Sequence, residues 1–262
     1  MTEVQDEGRV DVEIDVRDEG QVAWVRMANP RRLNAGSPAL VASLTKALTG
    51  LAQNDELRCA VLTGAGDKAF MAGADFNVLA TLTPDTARQF ITSLHDAAAA
   101  IRGLPVPVIG RLRGYCLGGG LELAAACDFR VADPSFVMGM PEVRLGLPSV
   151  IEAALLPSIV GWGRAREMLL TGANYDADQA LAMGMVERLV PAEHLDETVE
   201  TWIGQILANG PVAVRAQKAL MAQWERLGID AAIDAGIDCF EAAFRGDEPG
   251  RMLAPLLKGR AG

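Results

Sequence analysis

The sequence predicts an α/β fold that ends in a run of helices, and three observations carry that expectation. Strand and helix patterns alternate up to about residue 150, a strand leads into the glycine cluster Gly118-Gly119-Gly120 ahead of a short apolar helix, and from Pro191 onward the pattern is almost wholly helical. The expected division is a core over residues 1–190 and a C-terminal helical region over residues 191–262.

Taken in order, Val10, Val12, Ile14 and Val16 alternate with polar residues, as in a strand with one wet face. Asp18-Glu19-Gly20 turns the chain into residues 22–27, giving an opening hairpin. Ser37 and Pro38 supply an N-cap and a first-turn proline for a helix to about Ala52, with Leu40, Leu44, Leu48 and Leu51 on one face. A strand over 58–63 runs into Gly64-Ala-Gly-Asp-Lys-Ala69, and no helical stripe follows until Thr83-Pro84-Asp85 opens a helix over 84–102. A strand over 106–111 precedes the glycine turn, and apolar runs at 129–132 and 136–138 follow its helix. A later strand is expected at 185–190, then helices over 192–208, 211–227 and 230–245. The apolar residues of the last two, among them Trp224, Ile233, Ile237, Phe240 and Phe244, need cover, either from self-association or from docking on the chain's own core.

Composition narrows the classes. The 262 residues are 50% hydrophobic and 22% charged, enough to bury a large core, and no apolar run approaches the ~20 residues of a membrane helix. An acidic N-terminus without a basic and apolar leader, and an end reading Lys258-Gly-Arg-Ala-Gly262, lead to an expected cytoplasmic location with no membrane partner. Cys59, Cys116, Cys127 and Cys239 lack the close pairing of zinc or redox motifs and read as small buried hydrophobes, so no metal is expected. His95 and His194 fall in predicted helices without a hydrolase or zinc signature. The net charge of −10 argues against nucleic acid. The charge is uneven: residues 1–20 hold eight acids against two arginines, whereas 21–54 hold four basic residues and no acid, which either steers an anionic ligand or forms a solvated face.

The stretch Gly114-Tyr-Cys-Leu-Gly-Gly-Gly-Leu-Glu-Leu-Ala-Ala-Ala-Cys-Asp128 is the densest in chemical content. Glycines let a backbone approach a ligand closely, and a helix start offers unpaired N–H groups with a partial positive charge, which suits a developing oxyanion. Glu122 lies three residues past Gly119, on the same side of that helix. The alternative is a tight strand-to-helix connection in which Glu122 only favours the helix dipole. A phosphate loop is excluded because no lysine follows, and a dinucleotide fingerprint because Leu123 stands where Gly or Ala is needed. Gly64 to Ala69 does satisfy the dinucleotide form, but a true fingerprint opens a helix at once and this one does not.

Asn29-Pro-Arg-Arg-Leu-Asn-Ala35, Val61 to Asp75 with its Ala-Gly-Ala-Asp ending, Gly114 to Asp128, Pro141-Glu-Val-Arg-Leu-Gly146 and Leu170-Thr-Gly172, in this order and spacing, resemble the crotonase (enoyl-CoA hydratase/isomerase) superfamily over nearly the whole chain. The resemblance implies a spiral of β-β-α units followed by helices that build a homotrimer or a dimer of trimers. It implies an acyl-CoA thioester as substrate, with coenzyme A part of that substrate and no further cofactor, and a place in fatty acid or lipid metabolism. Two backbone amides, those of Ala74 and Gly119, would hold the thioester oxygen, and loss of one such donor typically costs about 3 to 4 kcal/mol of barrier. Glu122 and Glu142 fill the positions of the family's paired acids. In hydration of a 2-enoyl thioester, Glu122 would activate the water and Glu142 would exchange the α-proton.

By the same resemblance Ala74, Asp75, Phe76 and Asn77 lie along the pantetheine and acyl portion, Lys68 near the coenzyme A entrance, and Arg31 or Arg32 near its phosphates. The chain departs from the family at Leu147-Pro-Ser-Val-Ile-Glu-Ala-Ala-Leu155, where many hydratases carry Pro-Gly-x-Gly-Gly. That change removes glycines, is one residue shorter and adds Glu152, so it bears on the acyl pocket and the water. Double-bond isomerisation and acyl-CoA binding with little turnover are the alternatives to hydration.

Overall fold

The computed structural model describes residues 8–258, so Glu3, Asp6 and Glu7 of the acidic N-terminal run lie outside the described residues. Strands β1 (Arg9–Arg17) and β2 (Gly20–Ala28) form the expected antiparallel hairpin, with Val12 opposite Val25. Helix α1 (Pro38–Leu51) starts where Ser37 accepts from the Leu40 amide, and it buries its leucine face. Strand β3 (Leu57–Gly64), strand β4 (Ala69–Met71), the single turn α2 (Phe76–Leu79) and helix α3 (Pro84–Gly103) come next. Then follow β5 (Val108–Leu112), β6 (Tyr115–Leu117), α4 (Gly119–Ala126), β7 (Phe129–Ala132) and β8 (Val137–Gly139). Two 3-10 turns, Pro141–Leu145 and Ile151–Leu155, lead into α5 (Leu156–Val160), α6 (Trp162–Thr171), β9 (Asn174–Asp176), α7 (Ala177–Met183) and β10 (Arg188–Leu189). Helices α8 (Leu195–Leu207), α9 (Pro211–Trp224), α10 (Ile229–Ala243) and α11 (Glu248–Lys258) end the described chain.

The strands sort into two sheets. A larger sheet runs β1-β2-β3-β5-β7-β10, parallel from β2 onward, and a smaller one runs β4-β6-β8-β9. Each pass of the chain therefore places a longer strand in the first sheet and the next short strand in the second: β3 then β4, β5 then β6, β7 then β8. A helix follows the first two pairs, which is the β-β-α spiral that the resemblance implies. Because the period of a strand is two, β3 divides its side chains between two cores. Ala60 and Leu62 join the main core with α1, α3 and α4, whereas Cys59 and Val61 face Leu195, Val199, Trp202 and Ile203 of α8.

Several boundaries differ from the sequence reading. The strand expected at 106–111 begins at Val108, because Pro105 and Pro107 lack donors for a ladder, and the Val108 amide is held by Asp128 Oδ2 at 2.7 Å. The strand expected at 185–190 shrinks to two residues, since only those pair with β7. The helix expected from 192 starts at Leu195 after a 3-10 turn, and α2 and α11 lie in segments for which no helix is expected. Cys59, Cys116 and Cys127 are buried as expected, but Cys239 is only partly covered. The chain's own core answers part of the question of cover, since in α9 Leu220 is buried and Val214 packs against the cluster between α8 and the large sheet. In contrast Ile229, Ile233, Ile237, Phe240 and Phe244 of α10 and its end remain exposed.

Candidate active site

Strand β6 gives way to α4 at Gly118, whose φ of 52° lies in the left-handed region. A Cβ there would land on Glu142 Oε1, so glycine is what allows that carboxylate to lie against the turn. The Gly118 carbonyl accepts the Leu121 and Glu122 amides at 2.8 and 3.1 Å and so starts α4. The amide of Gly119, at the head of α4, has no acceptor among the described residues. Gly120 fits beneath the Met71 carbonyl, where a Cβ would overlap it, and this presses the start of α4 against the 71–75 loop.

The facing loop turns at Gly73, with φ 86°, and its Cα lies 3.9 Å from where a Gly118 Cβ would stand. Gly73 O accepts from the Gly36 amide at 2.8 Å and Gly36 O accepts from the Asp75 amide at 3.2 Å. The Ala74 amide between them, like that of Gly119, has no acceptor among the described residues. Two uncommitted amides thus belong to two turns in contact, one of them at a helix start.

Glu122 is 4% exposed, in the first turn of α4. Burial pushes its carboxyl up to about 8; the Ala153 amide, donating to Oε1 at 3.1 Å, opposes this, while the charges of Glu142 and Glu152 add to it. Glu142 stands in the 3-10 turn Pro141–Leu145, partly buried, with Oε2 accepting from Ser149 Oγ at 2.8 Å. Both predicted acids therefore flank the Gly118-Gly119 turn.

The departing segment contributes three contacts that the sequence did not reveal. Ser149 holds Glu142, the Ala153 amide holds Glu122, and buried Glu152 pairs through Oε1 with His95 Nδ1 of α3 at 2.9 Å. Substitution of Ser for Gly at 149 is a visible signal in retrospect. A backbone amide leaves none, and His95 sits one position off the buried stripe of α3.

The remaining predicted residues divide. Asp75 caps α2, its Oδ1 accepting from the Asn77 amide at 2.8 Å, and its Oδ2 accepts from Arg32 Nη1 at 2.8 Å. Burial would raise the Asp75 carboxyl, but the Asn77 amide and the Arg32 guanidinium outweigh it and hold the group below the usual carboxylate range. Arg32 is thus committed to the loop. Phe76 and Asn77 are exposed beside the turn. Lys68 and Arg31 line one cavity of about 290 Å³ with Asn34 and the Gly66 loop. Asn34 Nδ2 donates to Ala65 O at 3.0 Å and Ala69 O at 2.8 Å, fixing Gly64 to Ala69 as a bridge from β3 to β4. That segment opens no helix, so the dinucleotide reading fails on geometry.

Residues 17–252 match the family described as enoyl-CoA hydratase/isomerase. The chain belongs to this family. A crotonyl-CoA hydratase of Syntrophomonas wolfei is 32% identical over 94% of the chain and 95% of its own length. A short-chain-enoyl-CoA hydratase of Clostridium acetobutylicum is 30% identical over 92% and 93%. Among solved structures, the enoyl-CoA hydratase from Bacillus anthracis superposes with a TM-score of 0.89 at 30% identity, covering 95% of this chain and 96% of that one. The fold is accordingly the crotonase fold.

Proposed function

We propose that the chain adds water across the double bond of a 2-enoyl-CoA thioester to give the 3-hydroxyacyl-CoA. The observation that carries this reading is a buried acid, Glu122, one turn from the uncommitted Gly119 amide, with Glu142 against the same turn. The thioester oxygen accepts from the Ala74 and Gly119 amides. As a water oxygen bonds to the β-carbon, Glu122 takes one of its protons and the π pair moves toward the thioester oxygen as an enolate. The amides and the positive end of α4 stabilise that charge. Glu142 then delivers a proton to the α-carbon. Each turnover leaves Glu122 protonated and Glu142 ionised. No electrons enter or leave, so the reading includes no cofactor beyond the coenzyme A of the substrate.

Ala74, Asp75, Phe76 and Asn77 border the pantetheine and acyl portion, and Lys68 with Arg31 meets the phosphate-bearing end; their shared cavity supports this, since Arg32 is spent on Asp75. The reading extends to a cytoplasmic enzyme of lipid or fatty acid metabolism that is a homotrimer or a dimer of trimers. Free cysteines and the exposed apolar face of α10 support those parts. Among the described residues no helix is long and apolar enough to cross a membrane.

Incubation with 2-enoyl- and 3-enoyl-CoA esters of varied chain length in D₂O tests the assignment. Hydration gives 3-hydroxyacyl-CoA carrying one deuteron at the α-carbon. Movement of the double bond without water uptake would make the chain an isomerase, and an untouched panel with tight binding would make it a binding protein.

A further inference from the structure

Hydration by the route above, on which this inference rests, leaves a proton on Glu122 after every turnover. The proton must leave before the next water can be activated. Glu142 is partly open to solvent, but Glu122 is not: one of its oxygens is taken by the Ala153 amide, and its side chain is enclosed. Behind it lies a pair of groups that the hydration step does not use.

The 3-10 turn Ile151–Leu155 packs on α4, and Glu152, the residue before the amide that holds Glu122, is 4% exposed. Its Oε1 shares a hydrogen bond with His95 Nδ1 at 2.9 Å, whereas its Oε2 is buried with no partner among the described residues. The His95 side chain is 50% exposed. One end of Glu152 is therefore tied to an imidazole at the surface, and the other is an uncommitted oxygen inside. Ile151, the β-branched residue before Glu152, lies at φ 41°, in the left-handed region that disfavours such residues. A simple tie between α3 and the turn does not call for a buried oxygen without a donor.

We propose that Glu152 and His95 form a proton relay that returns the proton of Glu122 to solvent. The O–H bond of protonated Glu122 breaks and its proton passes, directly or over one water, to Oε2 of Glu152. The carboxyl turns to offer that proton to His95 Nδ1, the imidazolium gives up a proton from Nε2 to bulk water, and the half-exposed ring then exchanges its Nδ1 proton for one on Nε2 through solvent, which frees Nδ1 for the next cycle. No electron pair leaves the relay and no co-reactant is consumed. The groups that face Glu152 are His95 from α3, by a hydrogen bond, and Glu122 from α4, by charge; Glu142 acts in turn on Glu122. Glu152 and His95 act through Glu122 and do not touch the substrate.

The test is steady-state hydration of crotonyl-CoA by the whole protein in dilute buffer. His95→Ala is expected to lower kcat about ten-fold or more with KM within two-fold, and added imidazole is expected to restore kcat in proportion to its free base. Glu152→Gln is expected to show the same loss without any response to imidazole, since its amide passes no proton. Turnover of His95→Ala within two-fold of the unaltered protein, or a loss that imidazole does not relieve, overturns the relay. The histidine is exposed, so this arm decides even if Glu152→Gln does not fold. Absence of hydration by the unaltered protein removes the hydratase reading itself, whereas normal unaltered turnover with an insensitive His95→Ala removes only the relay.

Discussion

At the scale of single residues, the burial of Glu122 makes one side chain answerable in two ways. In the folded protein its carboxyl titrates at about 8 against an ordinary 4.5, so the native state keeps a proton that the unfolded chain gives up. Its contribution is therefore complete below about 4.5 and is lost as pH rises through 8. Glu122→Gln cannot ionise, and it is expected to be more stable than the unaltered protein by roughly 4 kcal/mol at pH 8, with the gap closing toward pH 5. Denaturant titrations at the two pH values check this, and an equal gap at both contradicts it. The same variant should lose roughly 10²- to 10⁴-fold in turnover with little change in acyl-CoA affinity. In the unaltered protein kcat/KM should rise as pH passes through about 8, because only the ionised form accepts a proton. Gly118→Ala tests the neighbouring position. Its Cβ falls on Glu142 Oε1 at a φ that disfavours alanine, so it should cost about 1 to 2 kcal/mol of stability and remove most activity. Normal turnover there would mean that Glu142 need not lie against the turn.

At the scale of elements, the segment 147–155 acts as the support of both acids. Ser149→Ala removes the hydroxyl that holds Glu142 and should lower kcat several-fold, in line with about 1 kcal/mol for one hydrogen bond, while KM for the thioester stays put. A rise in KM alone would show that Ser149 serves the acyl chain instead. This segment also marks where the sequence stopped being legible. Gly118, Gly119 and Glu122 could be read because a helix start and its first turn are local, fixed by neighbours within four residues. The bonds from Ser149, Ala153 and His95 join positions far apart in sequence, and no period or cap announces them. Short elements were lost for a related reason: α2 is a single turn held by the Asp75 cap and the Arg32 pair, too short for an apolar stripe.

At the scale of the whole molecule, the hairpin, the alternating order and the late helices were all legible, because hydrophobic period and turn residues specify them. What could not be read is which strand joins which sheet and which late helix is covered. Helix α8 lies on the large sheet because Leu195, Val199 and Ile203 meet the outward residues of β3, β5 and β7. Helix α10 meets α9, where Trp224 Nε1 donates to Ala232 O, but it exposes Ile233, Ile237 and Phe240. The assembly proposed above would appear in sedimentation as a particle of three or six chains, and Phe240→Asp should shift it toward single chains. A monomer that stays soluble and active would remove assembly from the account. The claim on which the rest depends is that the Ala74 and Gly119 amides meet at one oxygen between the two acids. A crystal structure with a bound, slowly reacting acyl-CoA thioester measures this most directly. The account predicts a thioester oxygen about 2.7 to 3.1 Å from both amide nitrogens, with Glu122 facing the β-carbon. A carbonyl bound by neither amide, or turned away from Glu122, would contradict it.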